Sequence, residues 1–257
     1  MARLSVTMSV AHTYDTIGRG YAAHRRADPR IAARIVAALG DARSVVNVGG
    51  GTGSYEPRNR AVVAVEPSRT MLAQRPAGAA SAVQADAEAL PFRDGAFDAA
   101  MAILTVHHWR DFDQGIREMR RVARGRIVVL TRDHEHFATA FWFARDYVPE
   151  VCEAERSMTT LRNVTGVLRC AAVEPVLVPH DCTDGFFGAY WRRPEAYLDP
   201  RVRVAISGLA RLGDARLRPA IARLAADLAS SAWERRYGHL RALTEIDLGY
   251  RLVVERR

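Results

Sequence analysis

Lysine is absent from the 257-residue sequence, and all 37 basic side chains are arginine. A P-loop needs a lysine at the phosphates, a protein kinase needs one on its strand, and pyridoxal enzymes need a lysine amine. None of these three classes can be built from this sequence. The formal charge of +8 comes from arginine in an alanine-rich composition, a combination typical of GC-rich coding sequences. The charge by itself therefore does not predict an anionic ligand.

Long apolar runs and paired cysteines are also missing. No run of 18 apolar residues occurs, so we expect no membrane span. Residues 1–11 make a poor secretory signal, because serine and threonine interrupt a short apolar stretch. Cys152, Cys170 and Cys182 are odd in number and lack C-x-x-C spacing. We interpret them as reduced thiols of a cytoplasmic protein rather than as a disulfide framework or a zinc site.

Short apolar runs alternate with helical stretches in the first part of the chain. The runs indicate strands buried on both faces, and they fall at residues 44–48, 61–65, within 97–106 and at 126–131. The helices are predicted at residues 30–39 (capped by Asp28), 68–74, 112–123 and 137–153. This alternation favours an α/β fold with a doubly wound, Rossmann-like sheet.

The second part of the chain is mainly helical. We predict a helix at 160–172, a strand at 173–179, helices through 183–244 and an alternating last strand at 248–254. The expected divisions are N-terminal cap helices (1–40), a core (41–182), a helical lid insertion (183–244) and the final core strand (245–257). A helical insertion of this kind is a natural lid for a site at the carboxyl edge of the sheet.

The strongest local signal is a glycine turn after the first strand. Gly49, Gly51 and Gly53 form G-x-G-x-G directly after the apolar residues 45–48. Glycine allows a positive φ and lets a ligand approach the backbone. The dinucleotide-binding form needs a further glycine at position 54, where Ser54 stands, so the motif argues against NAD.

Two acidic residues follow this turn in the sequence. Glu66 ends the second strand, where a carboxylate accepts hydrogen bonds from ribose hydroxyls. Asp86 precedes Ala87 twenty residues later and is suited to accept the amine of an adenine. The glycine turn and both acids together are more specific than the turn alone.

With these residues the chain resembles class I S-adenosylmethionine (SAM)-dependent methyltransferases of the small-molecule, type 11-like group. The matching segments are 45–53, 62–71, 84–92, 97–109 and 119–131. The resemblance implies a seven-stranded sheet with a reversed last strand, a mainly helical lid, and SAM as the cofactor. Gly49, Gly51 and Gly53 would pass under the methionine portion of SAM.

The same resemblance implies the remaining cofactor contacts. Glu66 would hold the ribose hydroxyls, and Asp86 with Ala87 would hold the adenine. Met71 would pack near the adenine, and Leu104 would line the sulfonium side. Further cofactor contacts are expected from an aromatic N-terminal arm that carries Tyr14 and Tyr21, with Arg25 nearby.

Two features depart from the family pattern. Asn47 stands where the first strand usually ends in an acid, which removes a charge that favours the cationic end of the ligand. Only residues 54–60, with Pro57 among them, remain for the helix after the glycine turn. Both features leave open a protein that binds SAM without transferring methyl.

Candidate residues for chemistry follow the fourth strand segment. His107 and His108 lie at its carboxyl end, where imidazole could serve as a general base or only contact the cofactor. Tyr190, Trp191, Arg192 and Arg193 combine aromatic and cationic side chains, as expected for an acceptor pocket or for a packed lid helix.

Metal and nucleic-acid sites are not predicted. His134 and His136 lack a third ligand at metal-binding spacing. The arginines between positions 117 and 126 have no interleaved aromatics, so we interpret them as a solvated face.

The first hypothesis is a methyltransferase of a small-molecule acceptor, of anionic character if the arginines face it, in specialised metabolism. The alternatives are an RNA methyltransferase and a non-methylating SAM-binding protein or cyclase on the same fold. The sequence leaves the acceptor and the oligomeric state open.

Overall fold

The structure is a computed structural model that describes residue 15 and residues 25–155, 158, 161–168 and 171–257. Tyr14, Tyr21 and Cys170 lie outside the described residues. None of the described helices combines the length and apolar character that a bilayer span requires.

A seven-stranded sheet forms the centre of the described chain, in the order β3-β2-β1-β4-β5-β9-β6. Its strands are β1 (Ser44–Val48), β2 (Ala61–Val65), β3 (Ser81–Val83), β4 (Phe97–Ile103), β5 (Ala123–Arg132), β6 (Ala172–Pro175) and β9 (Tyr250–Arg256). The first five strands run parallel, and β9 lies antiparallel between β5 and β6. The predicted α/β sheet with a reversed last strand is confirmed.

Helices cover both faces of this sheet. They are α1 (Pro29–Leu39), α2 (Arg69–Ala73), α3 (Phe112–Val122), α4 (His134–Ala140), α5 (Trp142–Asp146), α6 (Pro149–Glu155), α7 (Leu161–Val167), α8 (Pro200–Val204), α9 (Ser207–Leu212), α10 (Asp214–Ala229) and α11 (Ala232–Tyr237). Helix α1 begins as predicted, because the Asp28 carboxylate accepts a hydrogen bond from the Arg30 N–H.

Two hydrophobic cores form on opposite faces of the sheet, as the alternation of strand side chains requires. Val45, Met101 and Val128 belong to one core, whereas Val46 and Ala100 belong to the other. The first core contains most of the buried aromatic rings, from residues 137–147, 186–197 and 233–250. It therefore joins the long helical segment to the sheet.

Four local predictions were wrong. The helix predicted at 137–153 is three short helices, because the buried Phe141 takes an extended conformation between α4 and α5. The strand predicted at 173–179 divides into β6 and β7 (Val178–Pro179), which pairs with β8 (Glu245–Ile246). Residues 54–60 form turns instead of a helix, and the three-residue strand β3 was missed because its sequence has no long apolar run.

Candidate active site

The glycine turn lies at the carboxyl end of β1, where parallel strands place ligand sites. Gly49, Gly51 and Gly53 have φ values of 72°, 51° and 88°. A β-carbon on Gly49 would collide with Thr105, so glycine is required there. A β-carbon on Gly51 would meet only the Met71 methyl, at 3.3 Å. The Gly51 backbone therefore faces open space.

That open space is a cleft of about 930 Å³, counting its mouth. Seven residues predicted to contact a cofactor line it: Gly49, Gly51, Glu66, Met71, Asp86, Ala87 and Leu104. Gly53 lies outside its lining. The structure thus brings together residues from β1, β2 and β4 that are far apart in sequence.

Glu66 is buried at the end of β2, beside the glycine turn. Its Oε2 accepts a hydrogen bond from the Gly51 N–H at 2.9 Å, and its Oε1 accepts one from the Ser68 N–H at 3.0 Å. Burial raises the pKa of this carboxyl, although the two backbone donors act in the opposite direction. Each carboxylate oxygen keeps a lone pair for a further donor.

Asp86 lies in the same cleft, on an exposed stretch after β3. Its Oδ2 is 3.2 Å from the Arg110 guanidinium, and both side chains are about half exposed. Such a solvent-exposed pair adds little stability, so either partner can turn to a ligand at low cost.

Asn47 is buried in the floor of the cleft. Its Nδ2 donates to the Glu56 Oε1 at 3.2 Å, and Arg75 Nη2 lies 2.7 Å from both Glu56 oxygens. The Asn47 Oδ1 is buried and has no hydrogen-bond partner among the described residues. An unpaired buried acceptor is costly, so this oxygen is suited to a ligand N–H.

Leu104 connects β4 to the histidine turn in an unusual backbone conformation. Its φ of 54° lies in the left-handed region, which a leucine rarely adopts. Its N–H donates to the Leu130 carbonyl at 2.8 Å, which fixes the strained residue against β5. Strain of this kind concentrates at functional sites.

His107 and His108 lie in the 3₁₀ turn Val106–His108, with ring centroids 3.9 Å apart. Burial, His108 and the Arg132 guanidinium together hold the pKa of His107 well below its usual value. Burial, followed by the charges of Arg211, Arg132 and Arg25, lowers the pKa of His108 to about 3. Both rings are therefore neutral at physiological pH.

A second cavity, of about 560 Å³, adjoins the first. Arg25, Leu104 and His108 line both cavities, whereas His107, Arg132 and Phe187 line only the second. The two spaces therefore meet at Arg25, Leu104 and His108.

Charged side chains enter this second cavity in buried pairs. Arg132, at the end of β5, pairs with Glu155 at the end of α6. The Arg25 Nε lies 2.6 Å from the Asp184 Oδ1, and the Tyr55 hydroxyl donates to the Asp184 Oδ2 at 2.9 Å. Arg132 and Glu155 were not predicted as site residues, although Arg132 ends the buried strand β5 and so lies at the carboxyl edge of the sheet.

Comparison with known proteins agrees with this geometry. A family described as "Methyltransferase domain" matches residues 46–129. A candidate methyltransferase from an antibiotic biosynthesis pathway of Anabaena variabilis has a crystal structure that is 33% identical in sequence. The alignment covers 90% of this chain and 98% of that chain, with a TM-score of 0.84. The chain belongs to the SAM-dependent methyltransferase family.

Other relatives of this methyltransferase are more distant or match only in part. The malonyl-acyl-carrier-protein O-methyltransferase of Pseudescherichia vulneris is 33% identical over 132 residues, or 48% of this chain. The match spans about half of that relative, 53% of its length. The 4+2 cyclase SpnF is 19% identical, with 96% of this chain and 94% of that chain covered and a TM-score of 0.50. That likeness shows the fold alone.

The residues of the cleft fit the cofactor of this family. The Gly51 backbone is open to the cleft, as close approach of the methionine portion requires. The Asn47 Oδ1 is an orphaned acceptor, and SAM carries an ammonium group that needs one. Glu66 keeps acceptor capacity for hydroxyl donors.

The residues predicted to bind the acceptor lie elsewhere. Tyr190, Trp191, Arg192 and Arg193 line neither cavity. Trp191 is fully buried and donates its Nε1 to the Val178 carbonyl at 3.0 Å. Arg192 donates to the Leu243 carbonyl, and Arg193 donates to the Cys182 carbonyl while it stacks over Tyr190. Trp191 therefore belongs to the packed core, whereas Tyr190, Arg192 and Arg193 are partly exposed.

Metal ligation has no support in the described part of the methyltransferase. No group of three His, Cys, Asp or Glu side chains there has the proximity that a metal ion needs.

Proposed function

We propose that this methyltransferase transfers the methyl group of SAM to a small-molecule acceptor held in the second cavity. The observation that carries the proposal is the junction of the two cavities at Leu104 and His108. A cofactor in the first cavity and an acceptor in the second would meet there. In-line displacement depends mainly on this alignment.

The cofactor roles follow from position in the cleft. Asn47 Oδ1 and the backbone of Gly51 would hold the methionine portion. Glu66 would accept the ribose hydroxyls, and Asp86 beside Ala87 would accept the adenine amine once Arg110 turns aside. When bound, SAM supplies an electrophilic methyl carbon whose bond electrons remain on sulfur after transfer.

Acceptor binding would use the enclosed part of the second cavity. Phe186 and Phe187 are buried on one side, and Ile206 and Gly208 of the α9 region are buried on another. These walls exclude water from the junction, which prevents hydrolysis and strengthens polar contacts. Residues 183–244 would thereby serve as a lid over the site.

His107 and His108 would act as neutral rings beside the acceptor, with His108 at the junction. A neutral imidazole accepts a hydrogen bond from the acceptor and so orients its lone pair toward the methyl. If the acceptor releases a proton on transfer, one of these rings takes it. The lowered pKa of His108 makes it a weak base until an anion offsets the nearby arginines.

Specialised metabolism is the setting we propose. Support comes from the pathway named for the Anabaena variabilis relative, which covers nearly the whole chain. A cavity of about 560 Å³ suits a small molecule.

The test uses SAM labelled with carbon-14 in its methyl group. The protein is incubated with the small-molecule fraction, the RNA fraction and the protein fraction of a bacterial extract, each in a separate reaction. Label should enter the small-molecule fraction, and the Gly51→Val variant should abolish that incorporation. Label in RNA alone would refute the small-molecule proposal, and calorimetric SAM binding without any labelled product would favour the non-methylating alternative.

A further inference from the structure

We propose that the acceptor carries a carboxylate that Arg132 holds at the inner end of the second cavity, while the methyl is accepted by a different atom. The proposal rests on the proposed function, because it concerns the acceptor of that reaction. It deepens that function by naming the chemical group that the cavity recognises.

Arg132 is held as a rigid donor. Its side chain is 12% exposed, and its guanidinium lies 4.1 Å from the centre of the Phe137 ring. One Nη pairs with Glu155, and the Tyr250 hydroxyl contacts the same guanidinium. Stacking on a ring leaves only the edges of a guanidinium for hydrogen bonds.

One edge of this guanidinium has unused capacity. The Arg132 Nε is buried and makes no hydrogen bond within the described part of the chain. A buried donor without a partner costs free energy that an added acceptor recovers. A carboxylate is the small-molecule group that matches a guanidinium edge best.

The charges around the cavity favour an anion. Arg25, Arg132 and Arg211 are the arginines whose charges reach His108, and Glu155 and Asp184 are the paired carboxylates. These five groups leave one positive charge in excess. Because the charges of Arg132 and Arg211 lower the pKa of both histidines, the potential there is positive.

Position separates the carboxylate from the methylated atom. Arg132, Glu155 and Tyr250 line only the second cavity, whereas Leu104 and His108 also line the cofactor cleft. A carboxylate on Arg132 therefore lies away from the junction. Its oxygens also share their lone pairs with the guanidinium, which makes them poorer nucleophiles. The product keeps its carboxylate.

The histidines report this binding. Arg132, Arg211, Arg25 and His134 all lower the pKa of one or both rings, and Glu155 faces the same cavity. A bound carboxylate offsets the arginines and so raises the pKa of His108. A neutral ligand of the same shape leaves that pKa low.

The experiment titrates benzoate and benzamide into the protein saturated with S-adenosylhomocysteine (SAH). NMR follows the ligand signals for affinity and the histidine ring protons for pKa. Benzoate should bind at least tenfold more tightly than benzamide and should raise the pKa of His108. Arg132→Gln should remove that preference.

A second pair of variants guards against misfolding. Arg132→Gln leaves Glu155 buried without its partner, so Arg132→Gln/Glu155→Gln removes both charges together. The matched control is Arg120→Gln/Glu255→Gln, which removes a 2.6 Å pair outside both cavities. The first double variant should lose about tenfold in benzoate affinity, and the control should keep it.

Equal affinity for benzoate and benzamide, or benzoate binding unchanged in the Arg132 variants, would overturn the proposal. So would the absence of benzoate binding to a protein that binds SAH. Failure to bind SAH would instead refute the proposed function, so the two failures are distinguishable.

Discussion

The Asn47 Nδ2 donates a 3.2 Å hydrogen bond to the Glu56 Oε1, and this contact explains the missing acid at the end of β1. Glu56 comes from the turn after the glycines and is pinned by Arg75, whose side chain is 7% exposed. A carboxylate therefore does lie behind the cleft, but it belongs to Glu56 of the following turn and not to the end of β1. The remaining Asn47 oxygen is buried without a partner among the described residues, and we propose that it accepts from the cofactor.

Asn47→Asp is expected to destabilise the protein by about 1–3 kcal/mol, although it restores the usual family residue. It replaces a donor to Glu56 with a second carboxylate, and two like charges then face each other in a buried site. Asn47→Asp/Glu56→Gln should recover most of the loss, because the hydrogen bond is rebuilt with its donor and acceptor reversed. Urea unfolding measures the stability of the single and the double variant. Equal stability of Asn47→Asp and the wild type would contradict this account.

Gly51→Ala is expected to weaken SAH binding more than strain alone explains. Its β-carbon would occupy the space in which we propose that the methionine portion of the cofactor lies. The matched control is Gly78→Ala, since Gly78 has a φ of 87° and a β-carbon there meets nothing within 4 Å. Both variants should lose about 1 kcal/mol of stability from the left-handed conformation. Calorimetry should find normal SAH affinity in Gly78→Ala and reduced affinity in Gly51→Ala. An equal loss of SAH affinity in both variants would show that backbone strain alone causes it.

Glu66→Ala should reduce SAM affinity by about 1–3 kcal/mol, the usual range for hydrogen bonds to a charged group. Stability also falls, because the Gly51 and Ser68 N–H groups lose their acceptor. Glu118→Ala is the control, since Glu118 accepts from the Leu90 N–H at 2.8 Å and lies outside the cleft. Unchanged SAM affinity in Glu66→Ala would remove Glu66 from the cofactor site.

Stability should fall as pH decreases from about 6.5 to 4.5. The unfolded chain protonates His107 and His108 near pH 6.5, whereas burial keeps both neutral in the folded state. Each histidine that stays neutral in the folded state lowers the free energy of unfolding by about 1.4 kcal/mol for every pH unit below its pKa in the unfolded chain. Carboxylates with a lowered pKa reduce stability mainly below about pH 4.5, outside this window. Glu66 has a raised pKa, so its protonation favours the folded state as the pH falls.

His108→Gln is therefore expected to flatten this dependence. At pH 7 the histidine is neutral in both states, so the variant reports only lost packing. At pH 5 the variant should regain stability relative to the wild type by about 2 kcal/mol. Urea unfolding at the two pH values measures the difference, and parallel pH profiles would mean that His108 is not held neutral.

The cleft that we propose for the cofactor was predictable because its signals are local in sequence. Strand β1 occupies the predicted residues, and Gly51, Glu66 and Asp86 follow successive strands whose carboxyl ends meet at one sheet edge. The doubly wound α/β fold was predictable from the alternation of apolar runs and helices. Short elements without an apolar pattern, such as β3, escaped notice.

The second cavity, which we propose as the acceptor site, was not predictable from the same reasoning. Arg25, Arg132, Glu155 and Phe187 come from four distant segments, and no spacing connects them. Tyr190 to Arg193 gave the stronger sequence signal, yet Trp191 is buried in the aromatic core. An aromatic side chain beside arginine has the same pattern in a core and in a pocket, so only tertiary packing separates the two.

The central claim is that SAM lies in the cleft with its methyl group at the junction of the two cavities. A crystal structure of the protein with bound SAH tests this claim most directly. We predict density for SAH along Gly51 and Glu66, with the sulfur facing Leu104 and His108 and the second cavity open beside it. SAH bound elsewhere, or with its sulfur turned away from His108, would contradict the account.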